Sequence, residues 1–206
     1  MIDIEEIILK NKVIPVIVTE DSQDVVTLGE TLLKNGVNII EITLRTKEAF
    51  QAILTLSKNL PELMVGAGTV LSPALAVKAK DCGASFLVSP GSTEQLILEC
   101  QKVKLPFLPG ASTVSEMMKL NDEGFKYIKF FPANYSGGVG FIKSISSVLP
   151  DLCFCPTGGI NQNNVNEWLE LQNVVCVGGT WIAPQRLIKE KKWQKIAENA
   201  KNASQL

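Results

Sequence analysis

Phe125-Lys126-Tyr127-Ile128-Lys129-Phe130-Phe131-Pro132 reads as a buried strand, because aromatic and β-branched residues dominate it and a proline ends it. Alternate residues of a strand share a face, so Tyr127, Lys129 and Phe131 point one way and Ile128 and Phe130 the other. A lysine held among apolar and aromatic groups loses hydration, and that loss disfavours the charged form. A neutral amine can attack a carbonyl. The competing reading is structural: the stem of Lys129 lies along apolar surface while its ammonium reaches water at the strand end. The rest of the chain has to separate the two.

Apolar runs and amphipathic runs alternate on both sides of this strand. A short helix is expected over residues 2–10, with Ile4, Ile7 and Ile8 on one face, followed by the apolar strand 13–18 (VIPVIV), of the kind covered on both sides. Helices at 24–35, 46–59, 72–83 and 93–103 alternate with strands at 37–43, 63–67, 85–88 and 106–108. Gly36 stands where the first of these helices should stop, and Ser72-Pro73 supplies a cap and a first-turn proline to the third. A helix over 113–122, with Thr113 and Glu116 at capping-box spacing, leads into the lysine strand. Beyond it the pattern predicts a helix at 139–149, a strand at 152–155, a helix at 163–171, an eighth strand at 174–177 and a helical tail over 184–200. Eight such units predict an α/β fold, a (β/α)8 TIM barrel in a single domain with a short N-terminal helix. At 206 residues the chain is near the lower limit for that fold, so its loops must be short.

Composition narrows the chemistry. The chain contains no histidine, which disfavours zinc hydrolases, metal-dependent aldolases and nucleophiles activated by an imidazole base. A net charge of −1 offers no general field for nucleic acid or an anionic membrane, so any anion must be bound locally. The five cysteines, Cys82, Cys100, Cys153, Cys155 and Cys176, are scattered through apolar or helical contexts and read as reduced core thiols. An acidic start without a basic, apolar leader, and the lack of any apolar run of about 18 residues, lead us to expect a cytoplasmic protein.

In parallel barrels the reactive groups come from the carboxyl ends of the strands. Placed that way, Glu41 lies in an apolar strand with Arg45 in the loop after it, and Thr69 follows the third strand. Lys129 and Phe131 end the sixth, Thr157-Gly158-Gly159 the seventh and Gly178-Gly179-Thr180 the eighth. Each also has a bland explanation. Glu41 and Lys129 could be a structural ion pair, Arg45 a solvated loop residue, the threonines helix caps, and the double glycines tight turns. Together they suit imine chemistry: Lys129 attacks a ketone, Glu41 moves protons, Arg45 holds the carboxylate of a 2-oxo acid, and the glycine turns hold a distant phosphate. Neither a metal nor another cofactor is required.

Five motifs in order, Glu41-Ile42-Thr43-Leu44-Arg45-Thr46, Val65-Gly66-Ala67-Gly68-Thr69-Val70-Leu71, Ser89-Pro90-Gly91, Lys129-Phe130-Phe131-Pro132-Ala133 and Cys155-Pro156-Thr157-Gly158-Gly159-Ile160, resemble the bacterial family of 2-dehydro-3-deoxy-6-phosphogluconate (KDPG) and 4-hydroxy-2-oxoglutarate (KHG) aldolases. The resemblance covers about residues 13–184. It implies a trimeric class I aldolase of the Entner-Doudoroff route, yielding pyruvate and glyceraldehyde 3-phosphate, and often glyoxylate from the smaller substrate. By the same resemblance Lys129 is the Schiff-base lysine and Glu41 the acid/base. Arg45 and Thr69 contact the pyruvate carboxylate, while Pro90 and Phe131 line the pocket. Thr157 bears on stereochemical preference, and Gly158, Gly159 and Gly179 contact phosphate. Thr180 departs from the family's Gly-Gly-Ser-Trp run; threonine keeps the hydroxyl but restricts its rotamer. The sister 6-phosphogalactonate aldolases tend to carry arginine after the first strand and Leu-Lys-Leu at the lysine; here Val18-Thr19 and Phe130-Phe131 favour the gluconate branch. The alternatives are that galactonate-type enzyme and a phosphate-binding barrel without chemistry.

Overall fold

The computed structural model describes residues 3–206, so residue 2 of the expected first helix lies outside the described residues. That helix, α1, runs Ile4–Leu9, capped by the side chain of Asp3. Strands β1 Val13–Ile17, β2 Ile39–Thr43, β3 Met64–Gly68 and β4 Phe86–Val88 alternate with helices α2 Val25–Lys34, α3 Ala49–Asn59, α4 Pro73–Asp81 and α5 Glu94–Val103. Then come β5 Phe107–Leu108, β6 Gly110–Ala111, α6 Val114–Asp122, the lysine strand β7 Tyr127–Phe130, α7 Gly138–Ile145, β8 Cys153–Pro156, α8 Val165–Leu169, β9 Val177–Gly179, α9 Gln185–Lys189 and α10 Trp193–Ser204. Every strand pair is parallel, in a curled six-stranded sheet ordered β5-β4-β3-β2-β1-β9 and a three-stranded sheet ordered β6-β7-β8.

Two prolines mark the places where a strand changes neighbours. Pro15 is the last residue of β1 paired with β9, and Val16 is the first paired with β2. Pro109 separates β5, which pairs with β4, from β6, which pairs with β7. A proline has no amide hydrogen to place in a ladder, so the break falls where none is called for. The Pro109 carbonyl is still used, accepting from the Lys129 amide at 2.8 Å. Isolated bridges join Phe154 of β8 to Val174 ahead of β9, and Thr157, just past β8, to Gly178 of β9.

The expected lysine strand forms, and its two faces separate as the alternation requires. Phe130 turns outward, stacking on Phe141 of α7 at 5.4 Å between ring centroids and lying 6.4 Å from Trp168 of α8. Tyr127, at the opposite end of the strand from the site, donates a hydrogen bond to Glu5 of α1. Several expected elements differ: the helix expected at 139–149 ends at Ile145, and the one expected at 46–59 begins at Ala49. Within the expected 174–177 strand the backbone pairing with β8 is a single bridge at Val174, and the regular part begins at Val177, where the amide donates to Lys12 O at 2.9 Å. The helix expected at 163–171 shortens to α8 because an asparagine-rich turn occupies its first residues, Asn164 Oδ1 accepting from the Asn161 amide at 2.8 Å. The tail is two helices, broken where Lys191 adopts a left-handed φ of 51°.

Candidate active site

The carboxyl ends of β2, β3, β7, β8 and β9 carry the polar residues singled out by the sequence. Glu41 and Lys129 meet: Lys129 Nζ lies 3.3 Å from Glu41 Oε1, and the side chains are 5% and 4% exposed. The lysine therefore does not snorkel to water, and the ion-pair geometry and the catalytic reading share one contact. Phe131 stands next to it, with Lys129 Nζ 5.7 Å from its ring centroid. Gly110 is the register partner of Lys129 and touches the backbone of Pro90, which brings the Ser89-Pro90 loop alongside the lysine strand.

Arg45 and Thr69 leave neighbouring strands at one level, since Thr43 and Gly68 are paired and the Leu44 amide bonds Gly68 O at 2.8 Å. Arg45 is exposed, and among the described residues it makes no ion pair. Thr69 is half-buried with φ of 57°, a left-handed conformation that is costly for a β-branched residue. An outlier of that kind at a strand end points to a geometry held for use.

On the far side of the lysine, the Thr157 amide bonds Phe130 O at 2.9 Å, so the turn after β8 is tied to the end of β7. Thr157 Oγ1 is buried and has no hydrogen-bond partner among the described residues. Leaving a buried hydroxyl unpaired costs about 1–3 kcal/mol, a deficit that a polar group of a bound molecule would relieve. Gly178 sits against that hydroxyl, and Gly179 against the ring of Trp181. Gly158 and Gly159 have φ of 108° and 80°, which only glycine adopts without strain. Thr180 follows them on the rim, exposed.

Two thiols lie behind the site. Cys155 is the register partner of Lys129. Hydrogen bonding to Cys155, then burial, raise the Cys176 thiol well above its ordinary value, so it is a neutral neighbour rather than a rival nucleophile. Sequence reasoning did not single out Gly68, which makes room for Glu41. Its signal was available, because a glycine inside a strand marks a close approach.

The geometry thus brings together a buried amine, a buried carboxylate, an exposed guanidinium and glycine-rich turns at one end of a parallel α/β fold. The family model for KDPG and KHG aldolases matches residues 4–199. The KHG/KDPG aldolase of Escherichia coli strain K12 is 40% identical over 199 residues, spanning 97% of this chain and 93% of that protein. The KDPG aldolase of Legionella pneumophila, with pyruvate captured at low pH as a covalent carbinolamine intermediate, superposes with a TM-score of 0.96 at 40% identity, covering 98% of each chain. The aldolase of Zymomonas mobilis ZM4 with 3-phosphoglycerate gives a TM-score of 0.93 at 39% identity, over 98% of this chain and 95% of that one. With motif order, strand-end geometry and near full-length similarity in agreement, this chain belongs to the KDPG and KHG aldolase family.

Proposed function

We propose that this protein cleaves 2-dehydro-3-deoxy-6-phosphogluconate to pyruvate and glyceraldehyde 3-phosphate through an imine on Lys129, and 4-hydroxy-2-oxoglutarate to pyruvate and glyoxylate in the same site. The observation that carries the reading is the buried 3.3 Å contact between Lys129 Nζ and Glu41 Oε1. A structural ion pair would serve stability poorly, since desolvating two charges roughly cancels their attraction. Next to a proton acceptor, the same amine can be delivered as a nucleophile.

The neutral amine of Lys129 adds to C2 of the 2-oxo acid, giving a carbinolamine. Loss of its hydroxyl as water leaves an iminium. A base takes the proton from the C4 hydroxyl, the C3–C4 bond breaks, and its electron pair moves into the iminium to give an enamine; C4 departs as the aldehyde. Protonation at C3 and addition of water then release pyruvate and the free lysine. Glu41 lies within reach of the nitrogen and serves the dehydration and C4 proton transfers. The iminium is the electron sink, so the mechanism is metal-independent. Arg45 and Thr69 hold the carboxylate, Pro90 and Phe131 wall the pocket, Thr157 meets the C4 hydroxyl, and Gly158, Gly159, Gly179 and Thr180 take the phosphate.

Architecture and setting complete the proposal. We read the two sheets as one eight-stranded barrel in a single domain, with Phe107–Leu108 and Gly110–Ala111 as halves of one strand and the bridges at Val174 and Gly178 as its closure. The enzyme is a cytoplasmic homotrimer. No helix among the described residues is long and apolar enough to cross a membrane.

Borohydride reduction in the presence of pyruvate, followed by intact-mass measurement, tests the chemistry. The expected result is an adduct on the unaltered enzyme that Lys129→Ala abolishes. An unmodified wild-type mass would reject imine formation and leave a phosphate-binding barrel. Rates on the two C4 epimers of the phosphorylated substrate then separate the gluconate from the galactonate specificity.

A further inference from the structure

Three consecutive carbonyls in the turn after β8 are occupied. Thr157 O accepts from the Ala133 amide at 2.8 Å and Gly158 O from the Asn134 amide at 3.1 Å. Gly159 O accepts from two side chains, Asn134 Nδ2 at 2.8 Å and Asn164 Nδ2 at 3.1 Å. A trans peptide unit is planar, and its N–H points opposite its C=O. Holding these three carbonyls therefore turns the amides of Gly158, Gly159 and Ile160 the other way. The Gly159 and Ile160 amides donate no hydrogen bond among the described residues.

The three peptide units are not held alike. The first two are fixed by backbone donors from the short 3-10 turn Ala133–Ser136 directly after the lysine strand. The third, between Gly159 and Ile160, is held only by side-chain amides. Gly159 has φ of 80° and no Cβ, so this peptide plane can rotate once its carbonyl is released. Residue 159 must also be glycine for the clamp to close, because a Cβ there would lie 2.6 Å from Asn134 Nδ2. Asn164 is steadied in turn, its Oδ1 accepting from the Asn161 amide at 2.8 Å.

We propose that Asn134 and Asn164 are positioning residues for the phosphate end of the substrate, clamping the Gly159 carbonyl so that the Gly159 and Ile160 amides form a fixed anion-binding concavity. The inference rests on the phosphate reading of this turn given above. It adds Ile160 N–H as a phosphate donor and two side chains that never touch substrate. It also joins the reacting lysine to phosphate recognition, because Asn134 lies five residues beyond Lys129 in the same segment.

Asn134→Ala, Asn164→Ala and the double variant, each checked by thermal melting, test it with two substrates. In the double variant, KM for 2-dehydro-3-deoxy-6-phosphogluconate should rise about tenfold, the order expected when one or two hydrogen bonds that orient a donor are lost. Competition by inorganic phosphate should weaken in parallel. The kcat and KM for 4-hydroxy-2-oxoglutarate, which carries no phosphate, should stay within about twofold, a change smaller than the loss of one such bond. Equal losses on both substrates, or no loss on either, would overturn the clamp while leaving the phosphate reading intact. If inorganic phosphate failed to compete even with the unaltered enzyme, the phosphate reading itself would fall and the clamp with it.

Discussion

Gly68 leaves the space that Glu41 occupies: a Cβ at residue 68 would lie 2.0 Å from Glu41 Oε1, 2.5 Å from Cδ and 2.6 Å from Cγ. Glu41 is paired with Gly66, two residues earlier, so its side chain leans along the neighbouring strand toward the rim. Gly66 is filled in the same way by the ring of Phe86. The two glycines of β3 are thus the counterparts of two side chains, and the one nearer the rim sets where the carboxylate meets Lys129.

Gly68→Ala should therefore damage chemistry more than folding. The methyl group pushes a flexible carboxylate rather than backbone, and overpacking of this kind costs about 1–3 kcal/mol of stability. Moving a reacting group by about 1 Å can cost about 100-fold in rate. Urea melts and single-turnover cleavage should show a modest loss in the first and a loss of that order in the second. A variant of full activity would mean that the position of Glu41 is not critical.

Glu41→Gln keeps the shape and removes the base. The cleavage rate constant should fall by about 10²–10⁴-fold, the usual worth of a positioned acid or base. The borohydride adduct with pyruvate should still form, more slowly, because the nucleophile remains. An unchanged rate constant for bond cleavage would take Glu41 out of proton transfer.

Much of this was legible in the residues, and the exceptions have physical causes. The apolar run at β1, the capping box of α6 and the lysine strand all announce themselves locally, since periodicity and cap chemistry are short-range properties. The Lys129–Glu41 contact could be anticipated only by first assuming a barrel that brings distant strand ends together. What stayed hidden depends on neighbours far along the chain. The break between β5 and β6 at Pro109 reflects which strand lies beside each, and the Asn134–Gly159 hydrogen bond joins residues that only the folded β7 and β8 bring together. The left-handed Thr69 was invisible for a related reason, because a threonine after a strand reads as an ordinary cap candidate until its φ is known.

Thr69→Gly tests whether that conformation is a cost accepted for function. A left-handed backbone costs a residue with a Cβ roughly 1–2 kcal/mol, and glycine in exchange loses about 0.4–1 kcal/mol through unfolded-state entropy. The balance predicts a variant more stable by about 0.5–1 kcal/mol in urea melts. Its KM for 2-oxo acid substrates should rise, because the hydroxyl proposed to meet the carboxylate is gone. A less stable variant would show that the conformation carries no net cost, and an unaltered KM would show that the Thr69 hydroxyl does not meet the carboxylate.

The last prediction concerns pH and the helix that feeds the lysine strand. Partial burial pushes the Glu116 carboxyl up, but hydrogen bonds from Ser112 and Thr113 outweigh it and hold the group below its ordinary value of 4.5. These include the Ser112 amide at 2.8 Å and the Thr113 amide at 2.9 Å, closing the capping box at the start of α6. A carboxyl whose folded value is depressed adds stability that is fully present above 4.5 and fades as pH falls through the lowered value. Glutamine can fill the same capping position without the charge. Glu116→Gln should thus cost about 0.5–1 kcal/mol near neutral pH, as for an exposed charged cap. The gap to the unaltered protein should close in urea melts taken well below pH 4.5. A gap of constant size across that range would show that the carboxylate charge contributes nothing beyond the neutral hydrogen bonds.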